Sequence, residues 1–466
     1  MKHRIMIGLE SHVQLATNSK LFCPCSAKEG KPNTNTCEIC LGFPGSKPTL
    51  NEKAVEKAVE IALLLCCKLN PSNFARKIYF YPDLPKGFQI TQYDQPLAIH
   101  GQFPVQTGDR KKTIHITRVH IEEDPGKLEY GKGEHIGTAR SVLVDYNRSG
   151  IPLCEIVTEP DFTSVEEAVS YVKKLFHLLS YLDIIDPARE GVMRTDANIS
   201  MDGGARVELK NISGSDAIER ALKAEINRQA FLKAQGKKVE RETRTYSEET
   251  STTILLRKKE FEEDYGYIHE PDLLPLQLPD EFIRNIKNQM KKLPEEAEEE
   301  IKKKYRLTPQ IAYALAYKRG LYAYYQTCLK HYPHPETLAK WLIGDFLKCA
   351  NWHNYEIEQC PPEKRFLELL KAIDDKKITE REAKELIKKL FDQPAMELDT
   401  LRRGEAVDVD AVIRQVLVEH AGVVSRIRQG EEKSIHFLVG QVLRKINFKG
   451  DPKEIGEKIV AQLGSV

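Results

Sequence analysis

The hydrophobic pattern of the chain changes its period near residue 280, and this change separates two kinds of structure. Before residue 280, apolar and polar residues alternate in short segments, among them IMIGLESHVQL, KTIHITRVHIEED, SVLVDYN and ARVELKNI. A period of two is typical of strands that bury one face. After residue 280, apolar residues recur at helical spacing. The pattern therefore predicts an α+β fold in which the sheet comes first and the helices come last.

Helical segments at 51–67, 164–182 and 215–235 interrupt the strands of the first region. Strands and helices do not alternate regularly, so we expect an antiparallel or mixed sheet. Beyond the Pro-rich stretch EPDLLPLQLP we predict helices at 280–293, 295–305, 308–330, 336–349 and 379–392, followed by further helices in the last residues. A chain of 466 residues is too long for one ordinary domain. We predict a sheet domain at 1–282, a helical domain at 283–398 and a small helical tail domain at 399–466.

The composition narrows the class of protein. Lys and Arg number 70 and Asp and Glu number 69, which gives a formal net charge of +1. This balance excludes an overall basic coat for nucleic acid, although it leaves room for local basic patches. Apolar runs are far shorter than the roughly 18 residues of a membrane span, and Glu10 and His12 precede any possible signal-peptide core. We therefore expect a soluble, cytoplasmic protein with no membrane contact.

Four of the ten cysteines lie close together, Cys23 and Cys25 in CPC and Cys37 and Cys40 in CEIC. In a reducing compartment, thiols at these spacings bind metal more often than they form disulfides. Four thiolates complete the tetrahedral shell of a structural zinc ion, so we predict a zinc knuckle at 23–40. Four unrelated free thiols are the alternative. The scattered cysteines are interpreted as small core residues.

The first predicted strand places Glu10 and His12 on one face, because alternate residues of a strand point the same way. A carboxylate and an imidazole can bind one metal ion together. The alternative is that both residues lie on the solvent-exposed face of an amphipathic strand. Other carboxylates occur in further short segments of strand-like sequence. If these carboxylates lay close together, they would repel one another unless a cation neutralised their charge. The spacing does not establish that they meet. They are Glu122, Glu123, Asp124, Glu155, Glu159 and Asp196.

The segment 76–96, RKIYFYPDLPKGFQITQYDQP, mixes aromatic with basic residues. Such a mixture can stack bases and hold phosphates. It can equally be a Tyr-rich loop packed on a sheet, and both interpretations stay open. The chain contains no P-loop, Rossmann, kinase or GxSxG motif.

Taken together, these runs resemble one family. The segments IGLESHVQL, PNTNTCEICLGFPG, YFYPDLPKGFQITQYDQP, HIEEDPGK, LVDYNRSGIPLCEIVTEPD, RTDANIS and FLVGQVL occur in the order found in the B subunit of the tRNA-dependent amidotransferase, the GatCAB complex. The resemblance extends from residue 5 nearly to the C-terminus. It implies a catalytic cradle in the N-terminal domain and a YqeY-like tail domain that binds tRNA.

The resemblance also implies an activity. In that family, ATP phosphorylates the side-chain carboxylate of Asp or Glu mischarged on tRNA(Asn) or tRNA(Gln). Ammonia from a partner glutaminase then displaces the phosphate.

The expected partners are the amidase A subunit, the small C subunit and mischarged tRNA, in a heterotrimer. The expected cofactors are Mg²⁺, with ATP as substrate, and a structural Zn²⁺. By motif, the catalytic Mg²⁺ ligands fall on Glu10, His12, Glu123, Glu155 and Asp196. Candidates beside the tRNA acceptor end are Lys77, Tyr81 and Lys86.

The chain departs from the family pattern at a few positions. Ser11 replaces an apolar residue, Pro125 replaces an Ala, and Gly266, Ile268 and His269 replace the residues of a DYRYFPEPD motif.

Two other functions are alternatives to a B-type subunit. One is the E-type subunit of the Glu-tRNA-specific enzyme, which typically carries an inserted domain that does not fit before the tail here. The other is a zinc-stabilised tRNA-binding scaffold without catalysis, which has no reason to gather carboxylates at one point.

Overall fold

The computed structural model describes residues 3–131, 139–258, 266–394, 409–428, 434–446 and 451–464. The chain divides into two compact units, Met1–Lys291 and Lys292–Val466. The predicted boundary after residue 398 lies outside the described residues. Within the described residues, no helix combines the length and the apolar character needed to span a membrane.

The first unit is built on a 12-stranded mixed sheet. Ten of its strands lie in the order β13-β12-β11-β10-β1-β9-β6-β4-β3-β14, and β5 pairs with both β6 and β2. Strands β7 and β8 form a separate hairpin. Among the described pairs, only β11 and β12 run parallel, so the predicted α+β class is confirmed. The strands are β1 Ile5–Gln14, β2 Lys68–Leu69, β3 Ala75–Ile78, β4 Phe88–Thr91, β5 Ala98–Thr107, β6 Arg110–Glu123, β7 Lys127–Gly131, β8 Ser141–Asp145, β9 Pro152–Thr158, β10 Met193–Met201, β11 Val207–Ser213, β12 Glu242–Ser247, β13 Thr252–Lys258 and β14 Gly266–His269.

Three helices cover the apolar face of this sheet: α1 Glu52–Leu64, α2 Val165–Tyr181 and α3 Ser215–Ala234. They contact β6, β5 and the strands β10 to β13, respectively. Asn51 and Ser164 cap the first two helices by accepting hydrogen bonds from the backbone N–H of Ala54 and Glu167, as short polar residues at N-caps do. On the covered face, Leu9, Val13 and Ile156 are fully buried. Because side chains alternate along a strand, the residues between them face the other side.

The remaining helices are α4 Asp280–Gln289, α5 Pro294–Tyr305, α6 Pro309–Tyr317, α7 Leu321–Leu329, α8 Pro335–Trp341, α9 Leu347–His353, α10 Glu363–Asp374, α11 Glu380–Asp392, α12 Val409–Glu419, α13 Ala421–Arg428, α14 Ile435–Lys445 and α15 Pro452–Gly464. The single helix predicted at 308–330 is wrong, because α6 ends at Tyr317, where Lys318 is extended, and α7 begins only after Gly320, which has a positive φ of 74°. Helix α10 was not predicted. In the second unit, the described residues form one hydrophobic core within 297–391 and another within 413–459.

Candidate functional site

The face of the sheet opposite α1, α2 and α3, which we call the uncovered face, carries a row of polar side chains that the strand register places side by side. His12 of β1 lies opposite Glu155 of β9, and Glu155 lies opposite His120 of β6. His12 Nε2 is 3.3 Å from Glu155 Oε2 and 3.8 Å from Glu122 Oε1. The ligand atoms of His12, Glu122 and Glu155 all lie within 4.8 Å of one another. We call these three residues the His12 cluster.

The charges of the His12 cluster depend strongly on each other. Burial would lower the pKa of His12, but the hydrogen bond and charge of Glu155, together with Glu122, raise this pKa to about 9. Burial would raise the pKa of Glu155, but the nearby His120, His12 and Arg118 hold it well below its usual range. Glu155, although nearly buried, is therefore kept ionised beside the imidazole of His12.

The donor set of the His12 cluster fits a hard divalent cation. Carboxylate oxygens are preferred by Mg²⁺ and Mn²⁺, and Mn²⁺ also accepts an imidazole nitrogen. Mg²⁺ is commonly held by one or two carboxylates and keeps its other positions for water and substrate phosphates. Three protein ligands on an uncovered sheet face leave such positions available.

Glu10 and Asp196, which were predicted as ligands, lie on the same face one strand over but are held by other partners. They face each other across β1 and β10. Asn198 donates to Glu10 with a distance of 2.8 Å, and Lys210 Nζ lies 3.4 Å from Asp196 Oδ2 and 3.5 Å from Glu208 Oε1. Burial raises the pKa of Glu10, and the charges of Glu155, Asp196 and Glu208 raise it further. Lys210 thus supplies positive charge beside Asp196 and Glu208, and the assignment of Glu10 and Asp196 as ligands stays a prediction.

Glu123 is not brought to the His12 cluster. Lys86 Nζ lies 2.6 Å from both of its carboxylate oxygens, and the backbone N–H of Ile90 donates to Oε1 with a distance of 2.8 Å. Glu122 and Glu123 are consecutive residues of β6, so their side chains point to opposite faces of the sheet. The structure therefore places Glu122, and not Glu123, beside His12 and Glu155, and the assignment of Glu123 as a ligand stays a prediction.

The four cysteines of the predicted knuckle form a second cluster, which we call the cysteine cluster: Cys23, Cys25, Cys37 and Cys40. Their sulfur atoms all lie within 4.8 Å of one another. Zinc–sulfur bonds of about 2.3 Å in a tetrahedron imply sulfur–sulfur edges of about 3.8 Å, so the spacing suits one zinc ion. The hydrogen bond from the Cys23 thiol, the backbone N–H of Cys37 and the Lys20 ammonium lower the pKa of Cys40 to about 5. The same hydrogen bond and burial raise the pKa of Cys23 well above its usual range, so the two thiols share a proton.

The knuckle that carries the cysteine cluster is bonded to the turn after β8. Asn33 has a positive φ of 60°, its backbone N–H donates to Asp145, and its side-chain amide donates to Val144 O. The backbone N–H of Tyr146 donates back to Asn33 Oδ1 with a distance of 2.7 Å. Lys20 joins Cys40 Sγ, at 3.6 Å, to Tyr146 O, at 3.2 Å.

The three candidates for the tRNA acceptor end lie in different surroundings. Lys86 is nearly buried and paired with Glu123. Lys77 is on β3, with Nζ 5.6 Å from the centre of the Tyr79 ring. Tyr81 is 44% exposed. Only Tyr81 among them presents a largely open side chain.

The departures from the family pattern are accommodated locally. Ser11 is fully buried on the face away from His12, with its hydroxyl 3.4 Å from that of Thr195. The carbonyl of Pro125 accepts a hydrogen bond from Arg148. Residues Gly266–His269 form β14, which pairs with β3.

Sequence reasoning missed His120, Lys210 and Arg194, and it flagged Glu122 without choosing it. A usable signal existed for β6, because alternation in RVHIEE places Arg118, His120 and Glu122 on one face. For Lys210 and Arg194, the contacts come from strand register, which local spacing does not reveal.

Comparisons with known proteins agree with this architecture. Residues 5–284 match a family model described as the GatB/GatE catalytic domain, and residues 323–463 match one described as the GatB domain. The chain is 37% identical over 479 residues to the B subunit of the aspartyl/glutamyl-tRNA(Asn/Gln) amidotransferase of Geotalea uraniireducens, covering 99% of this chain and 100% of that one. It is 39% identical over 491 residues to the protein of the same name from Methanosarcina barkeri, covering 98% of each chain.

Proposed function

The chain belongs to the family of B subunits of tRNA-dependent amidotransferases, and from that premise we propose that it carries the site that activates and amidates mischarged tRNA. In this proposal, a side-chain carboxylate of Asp-tRNA(Asn) or Glu-tRNA(Gln) takes the γ-phosphoryl group of ATP, and ADP leaves. Ammonia then attacks the acyl carbon, inorganic phosphate leaves, and the nitrogen loses a proton. Activation is needed because a free carboxylate does not react with ammonia.

The observation that carries the proposal is the His12 cluster. A Mg²⁺ ion bound there would neutralise the charge of the transferring phosphoryl group. His12, His120 and Arg118 lie beside Glu155 and hold the pKa of this carboxylate well below its usual range. A cation that binds His12 would displace the proton that the imidazole carries at neutral pH, because the pKa of His12 is raised to about 9.

The other parts of the chain receive supporting roles in the proposal. The cysteine cluster holds a structural zinc ion, since all four positions of its tetrahedron are filled by protein. Neither the sequence nor the His12 cluster offers a nucleophile for glutamine hydrolysis, so ammonia comes from a partner A subunit, assembled with a C subunit. The helical tail binds tRNA.

The observations disfavour both alternative functions, the scaffold without catalysis and the E-type subunit. A scaffold without catalysis has no use for two nearly buried carboxylates beside His12, and their presence disfavours it. The match of residues 323–463 to a model described as the GatB domain, together with the full-length relatives of the B type, favours a B-type over an E-type subunit.

The test is an amidation assay on the chain with its co-purified partners, with an ammonium salt as nitrogen source and both mischarged tRNAs as substrates. His12→Gln should lower ATP-dependent amidation by on the order of 100-fold or more, since lost charge neutralisation costs several kcal/mol. It should leave tRNA affinity unchanged. Glu159→Gln, a carboxylate at the exposed end of the same sheet, is the matched control. Amidation by His12→Gln at the parent rate would contradict the proposal.

A further inference from the structure

Lys20 is a lysine whose side chain lies inside the protein, next to the cysteine cluster. It is only 1% exposed. A lysine is rarely buried unless an opposite charge faces it, because removing an ammonium from water is costly. Its Nζ lies 3.6 Å from Cys40 Sγ and 3.2 Å from the carbonyl oxygen of Tyr146. Of these two acceptors, only the sulfur can carry a full negative charge, as a thiolate.

The carboxylates that share a cavity with Lys20 already have other partners. This cavity has a volume of about 180 Å³, and its wall includes Glu123 and Glu270. Lys86 Nζ lies 2.6 Å from Glu123, and Arg76 donates to both carboxylate oxygens of Glu270, at 2.7 and 2.8 Å. Across the described ranges, Lys20 makes no ion pair with an Asp or a Glu. The positive charge of Lys20 is therefore left for the cysteine cluster to balance.

Lys20 also connects the two halves of the knuckle. Its backbone N–H donates to the carbonyl of Cys25, in the CPC half, with a distance of 2.9 Å, and its side chain reaches Cys40 in the CEIC half. A Cβ added to Gly150 would lie 3.4 Å from Lys20 Cδ and 3.6 Å from Cys40 Cβ, so the backbone of Gly150 packs against both side chains. These contacts hold the ammonium beside the sulfur.

A zinc ion bound by four thiolates needs such a partner. Four thiolates carry four negative charges and zinc carries two positive ones, so the site keeps two negative charges in excess. The sulfur of Cys40 accepts a hydrogen bond from the backbone N–H of Cys37 with a distance of 3.2 Å, and the Lys20 ammonium adds a charged donor to the same sulfur. Groups that donate to metal ligands orient the ligands and strengthen metal binding.

We propose that Lys20 is a positioning residue of the cysteine cluster: its ammonium holds the thiolate of Cys40 in place and offsets part of the negative charge that four thiolates leave on the zinc site. The inference rests on the structural zinc ion of the proposed function. Lys20 does not contact the metal in this account and acts through the sulfur of Cys40.

The first experiment measures the zinc affinity of the full chain by competition with a chromophoric chelator. Lys20→Met keeps the length and the apolar stem of the side chain and removes its charge. It should weaken zinc binding by about tenfold to hundredfold, the usual effect of losing a group that donates to a metal ligand. Lys28→Met makes the same change at an exposed position of the same knuckle, and it should stay within about twofold of the parent.

The second experiment separates an electrostatic role of Lys20 from simple packing. In protein loaded with Co²⁺ instead of zinc, the charge-transfer band from thiolate to cobalt reports how strongly each sulfur holds its electrons. Without the ammonium, the sulfur of Cys40 gives up an electron more readily, so the band should move to longer wavelength in Lys20→Met. Lys20→Gln keeps a polar donor while removing the charge, which guards against misfolding of Lys20→Met, and it should show the same loss of zinc affinity and the same direction of shift.

Unchanged zinc affinity in the Lys20 variants would overturn the inference. An equal loss in Lys28→Met, or a lower zinc affinity with an unmoved cobalt band, would also overturn it. If metal analysis finds no zinc in the parent chain and none binds on titration, the structural zinc of the proposed function fails. If the parent binds zinc and the Lys20 variants bind it equally well, only the role of Lys20 fails.

Discussion

The cysteine cluster and the His12 cluster are assembled in opposite ways within one unit. The cysteine cluster comes from a single stretch, residues 23–40, that contains no long strand or helix. The His12 cluster comes from three strands, with residues that range from 12 to 155 in the chain. The first is created by local spacing, and the second exists only because the sheet has its particular register.

Because the two clusters are assembled differently, the loss of a ligand residue has a different effect in each. In a knuckle, the bound ion itself holds the loop together, so loss of a ligand acts on stability. In the sheet, the backbone hydrogen bonds hold the strands whether or not an ion is bound. We therefore expect variants of the cysteine cluster to lower stability and variants of the His12 cluster to lower metal affinity and activity.

The largest effect is expected from a pair of variants that differ by one position. Glu122→Gln should weaken binding of Mn²⁺, used in place of Mg²⁺, by at least about tenfold, since it removes a ligand of the His12 cluster. Glu123→Gln should leave Mn²⁺ affinity within about twofold, because its carboxylate is bound to Lys86 on the other face. Calorimetric titration of both variants checks this.

The reverse order of affinities would restore Glu123 to the ligand set. It would also mean that the side chain of Glu123 leaves Lys86 when the cation binds. Equal losses in both variants would contradict the separation of the two faces.

The next effect concerns stability. Cys37→Ser should lower the free energy of unfolding of the first unit by about 3 kcal/mol or more, the size expected when a structural metal is lost. Metal analysis should find about one zinc per parent chain. Cys66→Ser, which changes an exposed thiol of the same unit, is the control and should unfold like the parent. Zinc-free protein with unchanged calorimetric melting would contradict the structural role.

Much of this comparison could be predicted from the sequence. The CPC and CEIC spacings were enough to group the four cysteines, because every ligand lies in one loop. Alternation correctly gave β1 and β6, and with them a face carrying His12. Alternation in RVHIEE places Glu122 on the face of His120, whereas the prediction followed the resemblance and named Glu123. The position of Lys210 beside Asp196 depends on an irregularity in the β10–β11 register, which the sequence does not reveal.

A smaller effect is expected where the knuckle meets the turn after β8. Asn33→Ala should destabilise the first unit by about 2 kcal/mol, because it removes side-chain hydrogen bonds and places a Cβ-bearing residue without a local polar group at positive φ. Asn33→Gly keeps the backbone conformation accessible and should cost about 1 kcal/mol. Denaturant unfolding separates the two. If Asn33→Gly is at least as destabilising as Asn33→Ala, the positive φ is not the source of the difference.

The central claim is that His12, Glu122 and Glu155 bind one divalent cation on the uncovered face of the sheet. Pulsed electron paramagnetic resonance of Mn²⁺ bound to the full chain tests it most directly, since a directly bound imidazole nitrogen couples to the metal spin. We predict coupling to one nitrogen, which disappears in His12→Gln and persists in His120→Gln. Bound Mn²⁺ with oxygen ligands only, or a nitrogen signal that survives in His12→Gln, would contradict the account.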